Sequence, residues 1–470
     1  MKFTDSFVLL ACLIAVCTGC SRKGSRPTSA DPQTTEELTP ASDASTAQTE
    51  EPSVQLAPSD WAAFLGTDGK ARSSDVVPTT WSESENVVWK QDLPGSGSSS
   101  PIVVGDRVML TCYVAGGEGN AKAKRQVLCF NKSDGAELWS VDFPIEYRED
   151  AFNGYLTEHG YASNTPVSDG QNFYVFLGKG GVHRISLDGE KEWNYDAGKG
   201  SSNREWGSAS SLVLYKNLII VNAAEESKAI IALDKETGKQ VWRQDADMLE
   251  LTFATPRIVS LENGQDELVI SVPGEIWGMN AGTGKLKWYA ESPLAGNVSP
   301  SVIVDGETLY SFGGYRSTGS FSVKAGGKPV NGKAAESQKD VTDSNVLWTN
   351  RKTTSYVATP LLHEGQFYWI DDRGIANSSS AKDGQSVYRG RVKGMKGGRP
   401  VYASPVLIGE NIYVVSRRSG TFVFPPGDQF EPIAQNVFES DDTDFNASPA
   451  VSENRLYLRS DQAIYCIGSK

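Results

Sequence analysis

The residues of this 470-residue chain that could carry chemistry are three histidines, six cysteines and one run of carboxylates. His159, His183 and His363 stand far apart in sequence, without the close pairing that marks a histidine metal site. His183 reads as a packed or solvated strand residue, whereas His159, just before a strand start, is the one histidine expected near a functional face. Asp441-Asp442-Thr443-Asp444 offers oxygen ligands of the kind calcium takes, against the plainer reading of a solvated acidic loop. No Gly-x-Ser-x-Gly elbow, Walker-type phosphate loop or Cys-x-x-Cys-His haem attachment occurs, and no two cysteines are adjacent.

The N-terminus explains part of the cysteine count. Lys2 precedes an apolar run from Phe7 to Val16, too short for an ordinary membrane span and right for an export signal. It ends at Cys17-Thr18-Gly19-Cys20, which resembles a bacterial lipoprotein cleavage site. Residues 1–19 are therefore expected to be a signal and Cys20 a lipidated residue, with simple secretion or an uncleaved anchor as alternatives. Residues 20–58 are rich in Ser, Thr, Ala, Pro, Gln and Glu, the composition of a disordered tether. Of the remaining thiols, Cys129 and Cys466 read as small core residues. Cys112 and Cys129 fall on consecutive strands, so either a cross-strand disulfide or two buried thiols is open. A formal charge of −13 argues against a nucleic-acid partner, and Arg417-Arg418 reads as a solvated pair.

Residues 59–470 carry a repeat that must position any site. Strand starts recur at Ser100-Pro101, Thr165-Pro166, Ser210-Ser211, Thr255-Pro256, Ser299-Pro300, Thr359-Pro360, Ser404-Pro405 and Ser448-Pro449. The period suits one four-stranded blade per unit, hence an all-β propeller of eight antiparallel blades. A glycine stands four residues before an aromatic at Gly135/Trp139, Gly189/Trp193, Gly238/Trp242, Gly284/Trp288 and Gly384/Tyr388. Trp89, Trp139, Trp193, Trp242, Trp288, Trp348 and Tyr388 are thus expected to dock flat on the next blade. Ala232 aligns with Cys129, Ser186, Gly278 and Cys466 as a small packing position. The last unit lacks its aromatic strand, so Asn86-Val87-Val88-Trp89 is expected to complete it and close the ring.

The segment from Ala232 to Trp242 and its variant from Gly278 to Trp288 resemble the docking repeat of the pyrroloquinoline-quinone (PQQ) propeller superfamily. Trp61-Ala62-Ala63-Phe64-Leu65-Gly66 further resembles PQQ-like repeat proteins of planctomycete-type bacteria, and the lipidated eight-bladed architecture is similar to BamB-type envelope lipoproteins. That resemblance implies a monomeric, lipid-anchored propeller in the bacterial envelope that binds envelope proteins, without catalytic residues, cofactor or metal. The alternatives it leaves are a quinoprotein oxidoreductase acting on an alcohol or sugar with PQQ and Ca²⁺, and a polysaccharide-binding propeller. The quinone reading lacks the vicinal disulfide that commonly walls the cofactor.

The segments leading into the innermost strands should surround the channel mouth. They carry His159, Tyr161, Arg204, Trp206, Phe253, Asn297, Tyr356, Arg399, Tyr402, Phe445 and Asn446. Such aromatics either plug the channel or, with interspersed Arg and Asn, form a protein interface. The insertion from Phe143 to Tyr161, with five aromatics, is the strongest candidate for a partner-contacting loop.

Overall fold

The computed structural model describes residues 25–26, 56–117, 122–315, 317–330 and 339–469. The expected signal, Cys17, Cys20 and most of the tether lie outside the described residues. Eight antiparallel sheets succeed one another in chain order, forming an eight-bladed propeller. Blades 1 to 7 span 102–144, 167–195, 213–245, 257–291, 303–350, 361–391 and 406–436. Blade 8 takes three strands from 450–467 and its outermost strand from Val87–Asp92. Its register pairs Val87 with Ile467, Trp89 with Cys466 and Asp92 with Ala463, so the first blade-forming strand closes on the last.

The alternation of apolar side chains along the strands buries both faces of each blade between its neighbours, and the tryptophans lock successive blades. Trp89, Trp139, Trp193, Trp242 and Trp348 lie over Gly135, Gly189, Gly238, Gly284 and Gly384 of the following blade. A Cβ on any of these glycines would fall 2.4–2.9 Å from the ring. Each indole Nε1 also donates to a carbonyl of the same hairpin at 2.9–3.2 Å. Two docking positions depart from this pattern. Trp288 still lies against Gly327 of blade 5, where a Cβ would fall 3.1 Å from its ring, but turns its Nε1 to Glu267 of its own blade at 2.8 Å. Tyr388 meets Phe430 with ring centroids 6.5 Å apart, since the longer hairpin of blade 7 brings an aromatic to the docking position and leaves its Gly427 uncovered.

The small positions are the cross-strand partners of the docking rings. Cys129 faces Trp139, Ala232 faces Trp242, Gly278 faces Trp288 and Cys466 faces Trp89, each beside a bulge. Blade 2 breaks the alignment, since Trp193 faces Arg184 and Ser186 instead opens the turn, accepting the N–H of Gly189 through its carbonyl. Cys112, Cys129 and Cys466 are free and buried. Cys112 stands opposite Gln126 and Cys129 opposite Met109, so the register gives a cross-strand disulfide no partner.

Before the closing strand the chain forms a strap under the channel. Trp61 exchanges both backbone hydrogen bonds with Val103 of blade 1, and Ala62 O accepts from Ser168 N of blade 2 at 2.9 Å. The Arg257 guanidinium of blade 4 donates to Asp68 O at 2.7 Å. Gly69, at φ +63°, passes this guanidinium so closely that a Cβ would fall 1.5 Å from it. Arg72–Ser73 then pairs in parallel with Leu407 and Ile408, adding a fifth strand to blade 7. Within the stretch read as a tether, Ser25 lies against the turn Asp247–Leu249 between blades 3 and 4, and Arg26 against blade 4.

Candidate functional site

The innermost strands begin around a cavity of about 160 Å³ on the propeller axis. Its wall is a belt of hydroxyls. The backbone N–H of Ser100 donates to Thr165 Oγ1, and the same bond runs on through Ser211, Thr255, Ser301, Thr359, Ser404 and Ser448 at 2.9–3.2 Å. The backbone donors facing the axis are thus satisfied by the next blade, as buried amides must be. This is the physical reason a Ser or Thr recurs at every strand start. In the fifth unit the hydroxyl belongs to Ser301, two residues after the serine singled out by its proline, and in the third to Ser211.

Phe64 of the strap reaches the floor of the cavity. The opposite mouth is covered by the insertion after blade 1, whose short helix Leu156–His159 lies across it. His159 Nε2 is 2.9 Å from Trp206 O and its Nδ1 is 2.6 Å from Ser163 Oγ. The carbonyl can only accept, so Nε2 carries the hydrogen and donates to it, leaving Nδ1 to accept from the serine. Burial holds the imidazole pKa below its ordinary value, consistent with the neutral form. Ser163 Oγ also lies 3.1 Å from His159 O, so the pair is a local turn bond with a backbone carbonyl where a catalytic base would need a carboxylate.

Charge fastens the helix on its other side. Arg417 bridges Glu158 of the helix to Asp444 of blade 8, and Arg418 binds the same Asp444. Asn446 Nδ2 donates to Glu158 O at 2.7 Å. Arg417 is accordingly part of a clamp, correcting its reading as solvated. The acidic run is also structural: Asp441 is buried and accepts from Ser460 Oγ, Tyr465 OH and Thr443 Oγ1, and those bonds hold its pKa low against the opposing effect of burial.

Of the residues expected at the mouth, His159, Trp206, Phe253, Asn297, Tyr356, Tyr402 and Asn446 line the cavity. Tyr155, not singled out in the sequence, is their hub. Its ring meets Trp206 edge-on at 4.5 Å and Tyr356 at 6.0 Å, and the Arg399 guanidinium sits 4.3 Å above it. Arg204 is exposed beside Trp206, 5.8 Å from its ring. Tyr161 is displaced from the mouth, its ring tilted against Tyr113 at 4.6 Å and its hydroxyl bonded to Asp150 O. Phe445 is buried in blade 8 against Phe438 and Tyr465. His183 packs on Phe143, and His363 pairs with Glu364 at the start of blade 6, both away from the axis.

A second polar cluster, marked by no motif or spacing, holds the root of the insertion between blades 1, 2 and 3. Lys179 Nζ and Ser201 Oγ both bind Asp150 Oδ1, at 2.7 and 2.5 Å, and Arg125 pairs with Glu149 at 2.5 Å. Below them Glu225 and Glu226 are buried, each with one carboxylate oxygen unpartnered. Burial raises Glu225 to about 7 and Glu226 to about 8.

An axial cavity ringed by eight blades, most of them joined by a tryptophan laid over a glycine of the next, defines a propeller of the PQQ-like class. A model of the family described as outer membrane protein assembly factor BamB matches residues 86–226 and 220–424, and the chain belongs to that family. BamB of Burkholderia pseudomallei (strain K96243) is 24% identical over 391 residues, covering 74% of this chain and 92% of that protein. Among solved structures, BamB from Moraxella catarrhalis superposes with a TM-score of 0.56 at 14% identity, over 82% of this chain and 99% of that one. The quinohemoprotein alcohol dehydrogenase from Comamonas testosteroni gives 0.54 at 11% identity, over 88% and 81%. These superpositions establish a shared fold alone.

Proposed function

We propose that the chain is a non-catalytic, membrane-tethered propeller of the bacterial envelope that binds a protein partner through the face around its capped channel mouth. The observation that carries this reading is the cluster on that face. Tyr315, 47% exposed, lies against Tyr356 beside the exposed Arg204 and Arg399 and the partly buried Tyr155 and Trp206, and Phe152, 60% exposed, continues the aromatic surface from Tyr161 at the edge of the mouth. Aromatic and arginine side chains set on a fixed scaffold are what protein interfaces use as anchors. Membership of the BamB family supports an envelope partner concerned with outer-membrane protein assembly.

The donor set supports a cofactor-free reading. The cavity wall offers hydroxyls, amides and rings, and its one carboxylate, Glu158, is engaged by Arg417. Among the described residues no group of three or more His, Cys, Asp or Glu is placed to hold a metal ion. For a quinone held through Ca²⁺ the wall offers one carboxylate, already paired with Arg417, and the sequence has no adjacent cysteines.

The test is affinity capture from envelope extract with the parent and a variant carrying Phe152→Ala, Arg204→Ala, Tyr315→Ala and Arg399→Ala. The reading expects an outer-membrane assembly protein held by the parent and lost by the variant, with unchanged melting. A parent that captures no partner but reduces dye with an alcohol, PQQ and Ca²⁺ would establish the quinoprotein instead.

A further inference from the structure

Glu275, the first residue of the strand Glu275–Asn280 in blade 4, is a carboxylate whose side chain is only 6% exposed. Trp277 Nε1 donates to its Oε2 at 2.7 Å. Its one ion pair among the described residues comes from far upstream in the chain. Arg26 Nε lies 3.0 and 3.1 Å from the two carboxylate oxygens, and its terminal nitrogen 2.5 Å from Oε1. The guanidinium also stacks 3.8 Å above the Tyr289 ring. The preceding residue is fixed as well. Ser25 Oγ donates to Asp247 Oδ2 at 3.1 Å and accepts from Asp247 N at 3.3 Å, while Ser25 O accepts from Met248 N at 3.4 Å.

A buried carboxylate left without its cation is strongly destabilising, and a planar fork over an aromatic face is a geometry that suits arginine and not lysine. We infer that Glu275 and Tyr289 of blade 4 form a receptor for the side chain of Arg26, which docks the N-terminal segment of this chain on the propeller body. Arg26 follows Cys20 by six residues, a span of at most about 20 Å when fully extended. If Cys20 carries the lipid, as the proposed function requires, docking at blade 4 sets which side of the propeller sits next to the bilayer. The tether then determines orientation as well as attachment.

The experiment uses the full chain with Cys20→Ser, so that docking is tested without dependence on anchoring. Ser25→Cys and Asp247→Cys are introduced together, and disulfide formation under mild oxidation is followed by mass spectrometry. The pair should cross-link within one chain, and faster than a control pairing Ser25→Cys with Glu262→Cys. Adding Arg26→Ala or Glu275→Gln should slow the cross-link about tenfold, as expected for loss of a charge-assisted bidentate contact, and Arg26→Lys should rescue it only partly. A rate equal to the control, a rate unaffected by Arg26→Ala, or a cross-link joining two chains would each overturn the inference.

Discussion

The indole of Trp89 covers Gly135 and donates to Lys132 O at 3.0 Å, joining a strand of the N-terminal region to the first blade across the seam of the ring. The same ring meets Tyr457 of its own blade with centroids 5.9 Å apart. Trp89 is buried on both sides at the point where the two ends of the propeller meet.

Truncating this ring should therefore open the seam. Trp89→Ala is expected to lower unfolding free energy by about 3–5 kcal/mol, and Trp89→Phe by only about 1 kcal/mol for the lost hydrogen bond. Equilibrium urea unfolding measures both. Removing residues 81–92 should abolish a cooperative transition, because blade 8 then presents an unpaired strand edge.

The hydroxyl belt predicts a local effect. Thr255→Val keeps the volume but leaves the N–H of Ser211 without its acceptor, at a cost of about 1–3 kcal/mol. Thr255→Ser should be nearly neutral. Hydrogen exchange at the Ser211 amide should speed up in the valine variant and stay slow in the serine variant.

Glu225 and Glu226 make stability depend on pH in a stated direction. Both are raised above the ordinary 4.5, so between that value and about 8 the folded chain binds more protons than the unfolded chain. Their contribution is full below pH 4.5 and is lost as pH rises through about 7 to 8. Thermal melts of the Glu226→Gln variant should therefore fall less between pH 6 and pH 9 than those of the parent. An unchanged slope would assign the pH dependence to other groups.

Lipidation is checked by fractionation. Cys20→Ser should move the protein from the membrane to the soluble envelope fraction, since acyl chains contribute about 0.8 kcal/mol per buried CH₂. Retention of the variant in the membrane fraction, with the signal uncleaved by mass spectrometry, would instead indicate a signal anchor.

The architecture was legible because its determinants repeat. Glycine before tryptophan, the small residue opposite it and the missing last strand are each local patterns that recur. The belt was half legible, as the serines and threonines were visible but not their bonding to the next blade. The face was harder. Tyr155 has no repeat equivalent, and Tyr161 and Phe445 share the spacing of the true mouth residues while their rings turn into neighbouring aromatic clusters. Single insertions leave no period to read, so the strap, the helix across the mouth and the Arg26 contact emerge only from three-dimensional packing.

Closure by Val87–Asp92 also sets the order in which the protein can be finished. Val87 pairs with Ile467, 380 residues later, and Arg72 with Leu407. A chain emerging from a ribosome or an export pore cannot satisfy its earliest strands until nearly the last residue has appeared, and contacts of such long range form slowly. Blades 1 to 6 must wait as an open arc with an exposed edge at each end. The interval before the ends meet, more than the finished ring, is when this protein is open to proteases and to misassembly with other chains.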